Sequence, residues 1–124
     1  MEIVITDLKE FSKNKAVFAI LGDYKIDVND IPLKIALKVN NYFKSIQNNE
    51  DINMELLIDE IVIPIIQKQN PTADKEKISE DFNYDQLLKL MNMVFESYLH
   101  AGSDSKETKE SESDQGVNNK KKEN

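Results

Sequence analysis

Cysteine and arginine are both missing from this sequence, and glycine, proline and histidine are scarce. The lack of cysteine excludes disulfides, thiolate nucleophiles and cysteine-based zinc sites. Without arginine, all 16 basic residues are lysines, and the planar fork that grips phosphates and guanines in two places at once is missing. No glycine-rich loop stands between Tyr24–Val28 and the residues from Pro32 onward to cradle a phosphate. The longest apolar run, Ile61 to Ile66, falls far below the roughly 18 residues of a membrane span. Met1 to Asp7 lack the basic start and long apolar stretch of a secretory signal. A soluble intracellular protein with no membrane contact is expected.

What is present bounds the answer further. A chain of 124 residues suits one domain with one core. A formal charge of −7 and a pI near 4.7 argue against a nucleic-acid partner, which would meet a basic face. Abundant Lys, Asn and Ile with no Arg also point to AT-rich codons and so to a low-GC genome.

The stretch from Tyr24 to Leu37 says most about architecture. Tyr24 to Val28 alternate apolar and polar, Asn29-Asp30 interrupts, and helical spacing begins at Pro32. A half-buried strand therefore runs directly into an amphipathic helix. Ala16 to Leu21 is the preceding strand, and Gly22-Asp23 is a two-residue turn of the type with glycine first. Glu2 to Leu8 offers a further strand, followed by a polar loop over Lys9 to Lys15.

Three helices should follow. The first starts near Asp30 as N-cap, with Pro32 in its first turn, and buries Ile35, Val39, Tyr42, Phe43 and Ile46. The second runs from about Asn53 to Gln69, with Met54, Leu57, Ile58, Ile61, Val62, Ile65 and Ile66 on one face. Pro64 has no N–H for the carbonyl of Glu60, so a kink or break is expected there. Asn70-Pro71 ends that helix, and Thr72 caps a short segment through Ser79. The third helix begins after Asn83, with Gln86 completing a capping box. Its buried face reads Tyr84, Leu87, Leu88, Met91, Val94, Phe95, Tyr98 and Leu99. From Gly102 onward only Val117 is large and apolar, too little burial to offset the entropy of ordering. The expected fold is thus mainly α. Residues 1–101 form a single domain with an N-terminal hairpin of two strands (three if Glu2 to Leu8 joins), then three or four helices. Residues 102–124 form a disordered polar tail.

No constellation carries catalysis. His100, the sole histidine, sits at the end of the third helix, where a helix dipole favours it, and no nucleophile or orienting group accompanies it. Glu55, Asp59 and Glu60 are expected on a solvated face, since adjacent helical residues point about 100° apart. Asp23, Asp27, Asn29 and Asp30 miss the spacing of a calcium loop. Ser103 to Asp114 reads as an acidic kinase target or as a plain tether. Leu90 and Met93 lie off the third helix's stripe and widen its apolar face, as a partner or oligomer surface would. No catalytic, cofactor-binding or metal-binding residue is assigned, no cofactor is expected, and an enzyme is not expected.

The layout as a whole resembles a known family. The junction from strand into Asp30-Ile31-Pro32-Leu33 and then helix, the apolar helix Met54 to Ile66, the Asn-Pro break with its polar segment at Asn70 to Glu80, and the helix start at Phe82 to Leu87 are similar to the tail assembly chaperones of long-tailed phages. The relevant phages infect low-GC Gram-positive bacteria. The resemblance spans about Val17 to Leu99 and rests on spacing. It implies a non-catalytic helical protein that binds the phage tape-measure protein, keeps it soluble during tail tube assembly and forms homo-oligomers. Such proteins act in the host cytoplasm and are absent from the mature virion. The family often adds a longer product by ribosomal frameshifting, through which the major tail protein can be met. Lys120 to Lys122 allow the adenine run such a slip uses. Client contacts are expected from exposed apolar residues of the second and third helices. The competing reading is an acidic mimic of DNA that occupies a host nuclease or regulator. Lysines interleaved with the acids, among them Lys25, Lys34, Lys38, Lys68, Lys75, Lys77 and Lys89, weaken it.

Overall fold

In a computed structural model, which describes residues 3–104, a short helix precedes the hairpin and the longer helices follow it. The order is α1 (Leu8–Asn14), β1 (Phe18–Leu21), β2 (Tyr24–Asp27), α2 (Leu33–Gln47), α3 (Met54–Leu57), a π-helical segment (Ile58–Val62), α4 (Ile63–Gln69), α5 (Lys75–Asp81) and α6 (Tyr84–Leu99). The elements α3, π and α4 join without a gap into one composite helix over residues 54–69. The mainly helical class with an N-terminal hairpin is as the patterning implies.

β1 and β2 pair antiparallel, Phe18 with Asp27 through Leu21 with Tyr24. Gly22 adopts φ 55 while Asp23 does not have positive φ. That combination defines the turn with glycine first, whose twist matches the strands. Alternation places Tyr24, Ile26 and Val28 in the core and Lys25 outside. The third strand is not formed among the described residues. Ile3, Val4 and Ile5 stand exposed, and Leu8 opens α1 instead. Asp7 is the cause: its carboxylate accepts the amides of Lys9 and Glu10 at 3.0 and 3.3 Å, and this N-cap turns the supposed polar loop into helix.

α2 begins three residues after Asp30, and its N-cap position is Pro32, with no side-chain cap. The residue before a proline is held out of the α region, so Ile31 keeps the chain extended and delays the helix. Asp30 pairs with Lys68 at 2.7 Å instead of capping. At the other end Asn49 takes φ 58, and the amides of Glu50 and Asn49 reach back to the carbonyls of Ser45 and Ile46 at 2.9 and 3.1 Å. That closes α2 with a left-handed cap. Of its expected stripe, Ile35 and Val39 are buried, whereas Ile46 is exposed.

The break expected at Glu60 takes the form of a wide turn. The amide of Ile63 bonds to the carbonyl of Ile58, five residues back, and Pro64 follows in the first turn of α4. The wider turn absorbs the donor that proline lacks without ending the helix. It also lets Ile61, Val62, Ile63, Ile65 and Ile66 all be buried. Successive residues of an α-helix advance by about 100°, so a regular helix would turn one of the three consecutive residues outward. Each of these side chains is worth about 1.5–3 kcal/mol in removal from water. The composite helix packs against β2, α2 and α6 and so forms the axis of the core.

α5 is capped by Asp74, which accepts the Lys77 amide at 2.9 Å, and not by Thr72, which lies in the turn after Asn70. α6 opens with the expected capping box: Asn83 and Gln86 exchange backbone and side-chain bonds at 2.8 Å each. Its buried face differs from the expected one. Leu87, Leu90, Met91, Val94 and Ser97 are buried, while Tyr84 and Leu99 are exposed. Leu90 is core because the hairpin covers that side of α6, so the widened apolar face is largely used within the fold. On the other side Tyr42 and Phe43 of α2 pack on Phe95 and Tyr98, Tyr42 stacking on Phe95 with centroids 5.0 Å apart.

The folded part extends slightly past the expected boundary at residue 101. Ser103 donates its hydroxyl to the His100 carbonyl at 2.8 Å, and the Lys15 ammonium donates to the carbonyls of His100 and Ser103. The remainder of the expected tail, from residue 105, lies outside the described residues.

Candidate functional site

A hollow of about 700 Å³ lies between the hairpin turn and residues 69–73, with Lys77 and Asp81 of α5 on its wall. Its polar group is a trio from two elements. Tyr24 donates its hydroxyl to Asp81 Oδ2 at 2.7 Å, and Lys77 donates to the same oxygen at 2.8 Å. The Lys77 hydrogen bond, and then that of Tyr24, hold the Asp81 carboxyl below its ordinary value. The bond to Asp81 lifts both Tyr24 and Lys77 above theirs. All three shifts deepen the protonation state each group already has at neutral pH. A general acid or base needs the reverse, a pKa drawn toward the working pH. The trio ties the hairpin to α5, and the ring of Tyr24 meets Phe82 edge-on at 4.8 Å in support.

Of the acids singled out in the sequence, Asp27, Asp30, Asp59 and Glu60 are engaged by neighbours. Asp59 pairs with Lys75 at 2.9 Å, and Glu60 lies 4.0 Å from Lys38. Asp27 Oδ1 accepts the amides of Val17 and Asn29 at 3.2 and 3.0 Å, which fastens the hairpin to the loop after it. Among the described residues no three His, Cys, Asp or Glu side chains gather as a metal would need. His100 is the C-cap residue of α6, with its Nε2 3.1 Å from Glu96. The cation that meets the carbonyl end of α6 is Lys15, almost fully buried and over the ring of Phe11 at 5.1 Å. Sequence reasoning had placed Lys15 in a loop.

Exposed apolar side chains are the other feature, and they are concentrated early in the chain. Ile3, Val4 and Ile5 are 81%, 87% and 83% exposed, and Leu8, Ile20 and Leu33 are at least 70% exposed. Leu33 and Leu37 stand one turn apart on α2, both facing water. By contrast, the composite helix exposes only Leu56 among its large apolar residues, and α6 exposes only its ends. Those helices spend their apolar faces on the core, and the free surface belongs to the N-terminal segment, β1 and α2. Two further residues escaped notice in the sequence. Gln69 brackets Asp27, its Oε1 accepting the Asp27 amide at 2.8 Å and its Nε2 donating to the Asp27 carbonyl at 3.1 Å. Ser97 is buried with no partner for its hydroxyl. Neither position carries a sequence signal, whereas the i, i+4 spacing of Lys77 and Asp81 does.

No protein-family model matches this chain, and neither a curated protein nor a solved structure matches it. Among the described residues no helix is long and apolar enough to cross a membrane.

Proposed function

We propose that the chain is a tail assembly chaperone of a long-tailed phage or prophage, one that binds the tape-measure protein and keeps it soluble while the tail tube assembles. The observation that carries this reading is the exposed apolar surface of residues 3–8, β1 and α2 on a chain of net charge −7. A holdase needs apolar contacts for its client and net charge to keep the complex dispersed. The resemblance over Val17 to Leu99 supplies the client's identity. In this reading the protein acts in the host cytoplasm, has no catalytic role, self-associates and is left out of the mature virion. A frameshifted product would extend it beyond Asn124 and join it to the major tail protein.

The DNA-mimic alternative has less behind it, because Lys38, Lys68, Lys75 and Lys77 sit against Glu60, Asp30, Asp59 and Asp81 and interrupt the rows of acid it would need. Co-expression with the next long downstream reading frame tests the proposal. A client that is soluble only beside this chain, and that elutes with it, supports the chaperone. A client that stays insoluble while this chain elutes alone overturns it.

A further inference from the structure

The two edges of the hairpin differ in a way that points to a binding site. Val28 donates its amide to the Val17 carbonyl at 2.9 Å, so residues 17 and 28 form a hydrogen-bonded pair. In an antiparallel ladder such pairs alternate with non-bonded ones, which leaves the peptide groups of Lys25 and Asp27 directed off the β2 edge and those of Phe18 and Ile20 directed off the β1 edge. Gln69 takes both groups of Asp27. Phe18 and Ile20 have no backbone partner for theirs among the described residues. Beneath β1 run two hollows of about 260 and 380 Å³ that share Lys89 and Met93. They form one groove between the hairpin and α6. Ala19, Phe82 and Leu90 line one end, and Val17, Val28 and Ser97 the other. At that end the Ser97 hydroxyl is 97% buried and unsatisfied, a costly state that a hydrogen-bonding occupant would relieve.

An occupant of matching chemistry exists in the same chain. Ile3, Val4 and Ile5 belong to no helix or strand, are apolar and β-branched, and stand almost wholly exposed. Acids flank them in sequence, Glu2 before and Asp7 after, and the groove sets Lys89 between the acids Asp85 and Glu96, so its selection rests on shape and main-chain bonding more than on charge. We propose that residues 3–6 of a second copy add to the free edge of β1 as a third strand, with their inward side chains in the groove over Met93. Main-chain bonds to Phe18 and Ile20 would give affinity, and the groove would select β-branched side chains. This site does not depend on the chaperone reading, since it needs only the chain itself.

The test uses the full chain alone, by analytical ultracentrifugation over a wide range of concentration. The expected result is reversible association above the 14.3 kDa monomer. Val4→Asp should weaken that association roughly tenfold or more without changing the fold, because Val4 is 87% exposed. Ile20→Pro, which removes one edge amide and none of the internal ladder, should do the same. Circular dichroism checks that each variant is folded. A mixture of the two should associate where each alone does not, since one retains the donor strand and the other the acceptor edge. Association that persists in Val4→Asp overturns the proposal, as does a wild-type chain that stays monomeric. A folded mixture that fails to recover association overturns it as well.

Discussion

β1 and β2 have four residues each and lie in one register, yet the fold treats them oppositely. The inward residues of β2 and its continuation, Tyr24, Ile26 and Val28, are buried, whereas Val17, Ala19 and Leu21 are only half covered. The outer edge of β2 is closed by Gln69 at Asp27, and that of β1 has no such cover. Intrinsic preference does not separate them, since both are short and apolar on one face. What differs is the neighbour: β2 lies on the composite helix, while β1 overhangs a groove. A strand's worth is set by what packs on it, so the pair is a matched internal experiment.

The sharpest way to break the comparison is to truncate each strand. Ile26→Ala should cost about 2–5 kcal/mol by urea unfolding, while Ile20→Ala, at a side chain 70% exposed, should stay within about 0.5 kcal/mol. Equal losses would mean that β1 is covered in solution. Next in size is Gln69→Ala, which strips the β2 edge of its cover and should cost about 1–3 kcal/mol. Faster hydrogen exchange at the Asp27 amide would show that the loss is local. Asn83→Ala removes the α6 capping box, whose Gln86 lies beside β1, and should cost about 1 kcal/mol by urea unfolding.

The smallest effect is a matter of pH at the anchor that β2 has and β1 lacks. Asp81's pKa is lowered, so its contribution is complete above the ordinary carboxylate value of 3.8 and is lost as pH falls through the lower folded value. Tyr24's pKa is raised, so its contribution holds below 10.0 and is lost as pH rises through its higher folded value. In Tyr24→Phe the Asp81 carboxyl should titrate nearer 3.8 while remaining depressed by Lys77, followed by NMR of the carboxyl carbon. An unmoved titration would show that Lys77 alone holds it.

Much of the fold was legible because local chemistry and tertiary structure agree: the Gly22 turn, the Asn83–Gln86 capping box and the apolar run of 61–66 each act within a few residues. The errors came where one local signal outweighed another. Asp7 caps a helix in a stretch that alternation marked as strand, and the restraint before Pro32 moved the start of α2. The site features were least legible. Gln69 and Asp27 lie 42 residues apart, Tyr24 and Asp81 lie 57 apart, and no spacing rule joins them. The exposed surface was misplaced for a related reason, because an apolar stripe in sequence does not say whether the fold has already covered it.

The π turn at Ile58–Val62 bears on how the chain tolerates change in length. Its hydrogen bond spans one residue more than an α-helical one, so this turn amounts to a single-residue insertion carried inside a helix. Removing one residue there would restore regular winding and leave Ile63–Gln69 in phase with Met54–Leu57, so Ile65 and Ile66 would stay in the core and Gln69 would keep its aim at Asp27. The π turn is thus the one place in the composite helix where a residue can be lost without a phase error, whereas a one-residue deletion in the regular winding of α4 would swing all that follows it by about 100°.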